Sequence, residues 1–136
     1  MRRVVIPREL LKRIINHARE EFPKEACGLL AGWKEKNGGI VVKEAYRTKN
    51  IADSPHRYEM EPRSMYEAFL DADSKGIDIL GAYHSHPYGE PEPSAYDEER
   101  THPGFIYLIV GLECGGKVRA FIWDGKNFEE MEVFIT

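Results

Sequence analysis

Two imidazoles and one carboxylate are the residues of this 136-residue chain best placed to do chemistry. His84 and His86 flank Ser85 in His84-Ser85-His86-Pro87, and Asp97 lies eleven residues beyond the second histidine. Side chains of an extended segment alternate sides, so histidines at i and i+2 share a face. Two histidines and a carboxylate leave one position of a tetrahedral zinc ion open to water, the coordination of catalytic rather than structural zinc. Asp97 also has a second reading. Ser94-x-x-Asp97 is a helix-start pattern, in which the serine caps the first turn and the acid is favoured by the helix dipole. Water acidified by a metal still needs a base to take its proton as it attacks a carbonyl.

Taken in order, these elements resemble the motif of the JAMM (MPN-plus) metallopeptidases. A glutamate, Glu25, stands in Pro23-Lys24-Glu25-Ala26-Cys27-Gly28-Leu29-Leu30, then come His84-Ser85-His86-Pro87 and Pro93-Ser94-Ala95-Tyr96-Asp97. The resemblance implies one zinc ion per chain, held by His84, His86 and Asp97. It implies Glu25 as the base, outside the ligand set, taking the proton of the attacking water and passing it to the leaving amine. It also gives the Ser94 hydroxyl a task besides capping, hydrogen-bonding the oxyanion of the tetrahedral intermediate.

The implied activity is cleavage of the amide bond after the C-terminal Gly-Gly of ubiquitin-like modifier proteins and their conjugates, by a small prokaryotic, archaeal-type member. Trimming of a sulfur-carrier C-terminus is a close alternative. A non-catalytic scaffold or binding domain is another, since some family members have lost their ligands. A nucleic-acid role is a third, because a DNA-repair-linked group carries a similar element. The net charge of −4, with 19 basic against 23 acidic side chains, argues against that last reading. The chain has no room for the insertions by which some eukaryotic relatives choose a polyubiquitin linkage, so broad selectivity is expected. The zinc-deaminase pattern of H-x-E with P-C-x-x-C is absent, as are H-E-x-x-H, P-loop and G-x-S-x-G motifs.

The elements that must position these residues can be read from periodicity. Leu10, Leu11, Ile14, Ile15, Ala18 and Phe22 recur at three-to-four spacing, which predicts a helix over about 8–22, stopped by Pro23. An apolar strand is expected over 25–33, a turn at Asn37-Gly38-Gly39 and a returning strand over 40–46. The polar run 47–57 reads as a mobile loop, the candidate outer wall for a Gly-Gly tail, with Tyr88 facing it. Next come a short strand near Tyr58, a helix from Pro62 to Lys75 with Met65, Ala68, Phe69 and Ala72 buried, and a strand over 79–85. A short helix over 94–101 leads into Phe105–Val110, an apolar run that suggests a central strand, and then into antiparallel strands. The expected fold class is α/β, with residues 1–136 a single domain whose curved mixed sheet is flanked by helices. The resemblance adds a cytidine-deaminase-like layout.

Composition fits a soluble, cytoplasmic protein with no membrane association: no apolar run approaches the ~20 residues of a membrane helix, and no leader is visible. A monomer or homodimer is expected. The chain has no Gln and only four Asn, a thermophile-like bias that makes a Cys27–Cys114 disulfide less implausible in a cytosolic protein. Cys27 reads as a small buried residue, or as a thiol near the metal. His17, His56 and His102 read as surface or structural residues rather than ligands.

Overall fold

A computed structural model describes residues 2–136, except for the side chains of residues 99 and 100. The elements are β1 (Arg3–Ile6), α1 (Arg8–Glu21), β2 (Cys27–Lys34), β3 (Ile40–Thr48), α2 (Pro62–Ser74), β4 (Asp78–His86), α3 (Ala95–Arg100), β5 (Ile106–Gly111), β6 (Lys117–Trp123) and β7 (Phe128–Ile135). A 3-10 turn, Leu112–Cys114, joins β5 to β6. The strands form one mixed sheet in the order β1-β3-β2-β4-β5-β6-β7, and it closes because β1 pairs with both β3 and β7. The expected curved mixed sheet with flanking helices is therefore present, curved far enough to become a barrel.

β1 was not anticipated, and it makes that closure. The strand expected near Tyr58 does not form; only an isolated bridge between Asn50 and Met60 stands there. The segment after β3 is folded back on itself by Ile51 N–H to Glu59 C=O (2.9 Å) and Glu61 N–H to Lys49 C=O (2.9 Å).

The core has two parts, one on each side of the sheet. Leu10, Leu11, Ile14 and Ala18 of α1 pack with Leu30, Val42, Tyr83, Leu108 and Val110. Leu29, Ala82, Tyr107, Ile109 and Phe121 pack on the other face with Ala68 of α2. β5 gives alternate side chains to both clusters and every one of its residues is buried, as an unbroken apolar run on a central strand requires. Two apolar positions fall outside the expected stripes. Phe69 is about half exposed, because α2 buries only Ala68 and Ala72, and Phe22 lies past the end of α1, also half exposed.

β4 carries the histidines, and its register is set by a bulge. Its pairing with β2 steps from Leu30↔Gly81 to Ala31↔Ile79, leaving Leu80 as the extra residue. Gly81 sits where β5 crosses so closely that a Cβ would come 2.1 Å from the Ile106 carbonyl oxygen. Because that obstacle is backbone, Gly81→Ala is expected to cost about 3 kcal/mol and lower Tm by several degrees, readable in a thermal melt. A melt within a degree of wild type would show that the two strands can part freely there.

Candidate metal centre and active site

Alternation along the end of β4 sends His84 toward Tyr107 and the α2 side of the sheet, and Tyr83 into the α1 cluster. Ser85, between the histidines, is fully buried. Its hydroxyl accepts from the Ala26 N–H at 2.8 Å, and its own N–H donates to the Ala26 carbonyl at 3.0 Å. This double contact fixes residue 26, and with it Glu25, beside the histidines.

The carboxylate returns through the proline-rich loop. Gly111 lets Pro91 lie directly on the end of β5, since a Cβ there would stand 2.9 Å from the Pro91 ring. The Gly89 N–H donates to Glu113 at 2.8 Å, pinning the loop to the 3-10 turn. α3 then starts at Ser94 with a reciprocal cap. Asp97 Oδ2 accepts from the Ser94 N–H at 2.9 Å, and Ser94 Oγ accepts from the Asp97 N–H at a long 3.4 Å. The same Oδ2 lies 3.5 Å from His84 Nε2. The capping and site readings of Asp97 thus coexist in one side chain.

One ligand atom from each of His84, His86 and Asp97 lies within 4.8 Å of the others, somewhat wider than the about 3.4 Å that ligands of a tetrahedral ion keep between them, so that the three side chains would draw together on an ion. His84 is 1% exposed, yet neither ring nitrogen has a hydrogen-bond partner among the described residues. An imidazole buried in that way is costly unless something else takes a lone pair, and a cation between the three groups would do so. His86 is prepared differently. Its Nδ1 lies 2.8 Å from the Glu90 carbonyl oxygen, which only accepts, so Nδ1 carries the proton and Nε2 keeps its lone pair. The residues fit a metal ion.

The charges of these groups are coupled. Burial alone would lower the His84 imidazolium, but the Asp97 carboxylate outweighs it and holds the group above its ordinary value. Burial works against an ionised Asp97, and the neighbouring His84 more than compensates, holding it low. His86 is lowered, by burial first and by His84 second. Glu25 is 3% exposed, and burial pushes its carboxyl up to about 7, with His84 pulling it down and Asp97 pushing it up. Such a carboxyl is poised to exchange protons near neutrality. Ser94 is exposed at the start of α3.

Three residues around the site escaped the reading of the sequence. Ser85 could have been suspected, since strand alternation puts it opposite the histidines. Asn50, buried under Glu25, and Tyr58, whose ring centre lies 4.8 Å from that of His84, carry no signal in type or spacing. The Tyr88 ring meets that of Phe22 at 5.7 Å. His17 is not on the surface. It is 4% exposed and its Nδ1 lies 2.7 Å from the Tyr83 hydroxyl, a link between α1 and β4. His56 and His102 are exposed. Cys27 and Cys114 are both free thiols. Cys27 is opposite His84 in the ladder, but its sulfur rests 3.2 Å from the Thr48 hydroxyl and burial pushes the thiol up to about 11, as expected of a packed residue.

The model of the family described as prokaryotic homologs of the JAB domain matches residues 7–124. The chain belongs to that family. A desampylase of Haloferax volcanii is 38% identical over 128 residues, covering 90% of this chain and 88% of that protein. A CysO-cysteine peptidase of Mycobacterium tuberculosis is 33% identical over 111 residues, covering 79% of this chain and 72% of that one. The solution structure of protein DSY2949 from Desulfitobacterium hafniense superposes with a TM-score of 0.88 at 30% identity, covering 98% of this chain and 92% of that one. In this JAB domain the cluster of His84, His86 and Asp97 sits where β4 and α3 meet, beside the buried Glu25. Two grooves flank it. One of about 460 Å³ includes Leu29, Tyr58, Met60, Met65, Phe69 and Tyr107 in its walls. Another of about 530 Å³ is lined by Arg19, Phe22, Pro87, Tyr88 and Leu112.

Proposed function

We propose that the protein is a zinc metallopeptidase of the JAMM type that hydrolyses the amide or isopeptide bond after the C-terminal Gly-Gly of ubiquitin-like modifier proteins. The observation that carries this reading is the buried His84 imidazole, whose ring nitrogens have no hydrogen-bond partner among the described residues, with Asp97 and His86 beside it. His84, His86 and Asp97 hold one zinc ion per chain. Zinc bound there supplies Lewis-acid polarisation of the scissile carbonyl and acidifies water. Glu25 accepts the proton of the attacking water and returns it to the departing amine, a transfer suited to a carboxyl near 7. The Ser94 hydroxyl, exposed at the mouth of the site, donates to the developing oxyanion.

Release of a sulfur-carrier protein's C-terminus is a second reading, favoured by the relative named as a CysO-cysteine peptidase. Both readings use the same bond chemistry and differ only in the group attached beyond the diglycine. The proposal includes a cytoplasmic location, and no helix among the described residues is long and apolar enough to cross a membrane. The decisive experiment incubates the protein with a modifier fused through Gly-Gly to a reporter, with and without a chelator. Release that stops with chelator and returns with zinc is expected; release indifferent to chelator would refute the metallopeptidase.

Two further results are expected. A Gly-Gly tail has no side chains, so a narrow channel can admit it and exclude larger residues. Replacing Gly-Gly by Ala-Ala in the substrate should lower kcat/KM about 100-fold, measured by progress curves, and equal cleavage would leave a zinc peptidase of other specificity. Ser94→Ala removes only the long 3.4 Å half of the cap, since the Ser94 N–H still donates to Asp97. Its cost in stability should stay below about 1 kcal/mol while kcat falls about 10²-fold. A change seen in the melt alone would leave Ser94 a cap.

A further inference from the structure

Glu25 lies just before β2 begins at Cys27, so no strand ladder holds its main chain, and it is nonetheless buried. A buried main chain must find partners elsewhere. It finds both in the segment between β3 and α2. The Glu25 N–H donates to the Ser54 carbonyl at 3.0 Å, and the Asn50 side-chain amide donates to the Glu25 carbonyl at 2.9 Å. Asn50 is 3% exposed, and its amide also donates to the Arg57 carbonyl at a weaker 3.4 Å. Its Oδ1 accepts from the N–H groups of Ala52 (2.9 Å) and Glu59 (3.0 Å). All four hydrogen-bonding positions of this amide are in use.

The same segment reaches the other side chains of the site. The Tyr58 ring packs on His84, and the Tyr58 carbonyl accepts from the Tyr96 hydroxyl at 2.6 Å, one residue before Asp97. A single folded loop therefore touches the residue bearing the carboxyl, the buried histidine and the helix that carries the aspartate.

We infer that Asn50 is a positioning residue of the hydrolytic site, tying the main chain of Glu25 to the 50–59 segment so that the base is held by the loop as well as by the contact of its neighbour Ala26 with Ser85 of the sheet. This rests on the proposed hydrolase, in which Glu25 moves the proton. An aspartate at position 50 keeps the acceptor for Ala52 and Glu59, and so keeps the loop, but turns the donor toward Glu25 into a second acceptor. Alanine removes both.

The test compares Asn50→Asp and Asn50→Ala with wild type, on a modifier–Gly-Gly–reporter fusion and in the metal-free protein. Both should lower kcat by about 10- to 100-fold with KM changed by less than about twofold, at unchanged zinc content. In the metal-free protein the amides of Glu25, Ala52 and Glu59 should exchange with solvent faster together, while those of β4 and β5 keep wild-type rates. In a Glu25→Asp background, where the base is already displaced, Asn50→Asp should cost much less than it does alone. Additive losses, an effect confined to KM, unchanged exchange at Glu25, or activity lost only in proportion to zinc or to folded protein would each overturn the inference. If neither variant folds at the assay temperature, Asn50 is a folding residue and the inference also falls. A wild-type protein inactive on every diglycine fusion would refute the hydrolase and this inference with it; an active wild type with unaffected Asn50 variants refutes the inference alone.

Discussion

Glu25→Gln is expected to lower kcat about 10³-fold while leaving zinc content and KM close to wild type, because the amide keeps the shape of the carboxyl and cannot accept the proton. The same substitution should act on stability in the opposite direction. Burial raises the Glu25 carboxyl from an ordinary 4.5 to about 7 in the folded protein. Between these values the folded state binds more protons than the unfolded state, so this group's stabilising contribution is complete below about 4.5 and is lost as pH rises to about 7. Glutamine never ionises and never incurs that loss. Metal-free Glu25→Gln protein should therefore melt roughly 5 °C above metal-free wild type at pH 8, with the gap closing toward pH 5. Near-normal kcat would remove Glu25 from the chemistry. A melting difference independent of pH would mean that the carboxyl is not held in its raised state.

Replacing His84 and His86 together by alanine should abolish both zinc binding and turnover. Two ligands removed from three leave Asp97 alone, which is too little for a stable tetrahedral site. Metal analysis of the purified variant should fall from about one zinc per chain to background, and hydrolysis should fall below detection at any added zinc concentration. The fold should persist at reduced stability, because alanine at position 84 breaks no hydrogen bond among the described residues but empties a buried space against Tyr58 and Tyr107. Full zinc occupancy in the double variant would assign the metal to other residues.

What could be read from the sequence was local. The two histidines two apart on a strand, the serine and aspartate three apart at a helix start, and the proline-rich link between them are patterns of short range. They place His84, His86 and Asp97 near one another with little help from the rest of the chain. Helices α1 and α2 were legible for the same reason, through periodic apolar residues. β1 was not. Its four residues are too few for a period, and its partners lie far along the chain, with Val4 facing both Ile40 and Val133. The order of the 50–59 segment was hidden in a different way. Asn50 looks like an ordinary loop residue until Glu25 is folded onto it, and what makes it special is a main-chain carbonyl 25 positions earlier. The burial of His17 is similar, since Tyr83 lies 66 positions away. The misplaced Phe69 shows the converse: apolar spacing marks a helix face, but here α2 buries only Ala68 and Ala72, and Phe69 lies in the wall of a groove beside the sheet.

The closure of the sheet by β1 has a consequence for how the chain comes to be folded. Val5 pairs with Phe134, so the last seam joins residues almost a full chain length apart, and such long-range pairings are slow to form. On a ribosome, β1 through β6 are made before the strand that completes the ring. Until β7 arrives, β1 and β6 each present an unpaired edge, the feature by which strands recruit other chains. Truncation before Phe128, or anything that delays β7, should therefore show itself as aggregation during synthesis more than as loss of the cluster of His84, His86 and Asp97, since β4 lies in the middle of the strand order.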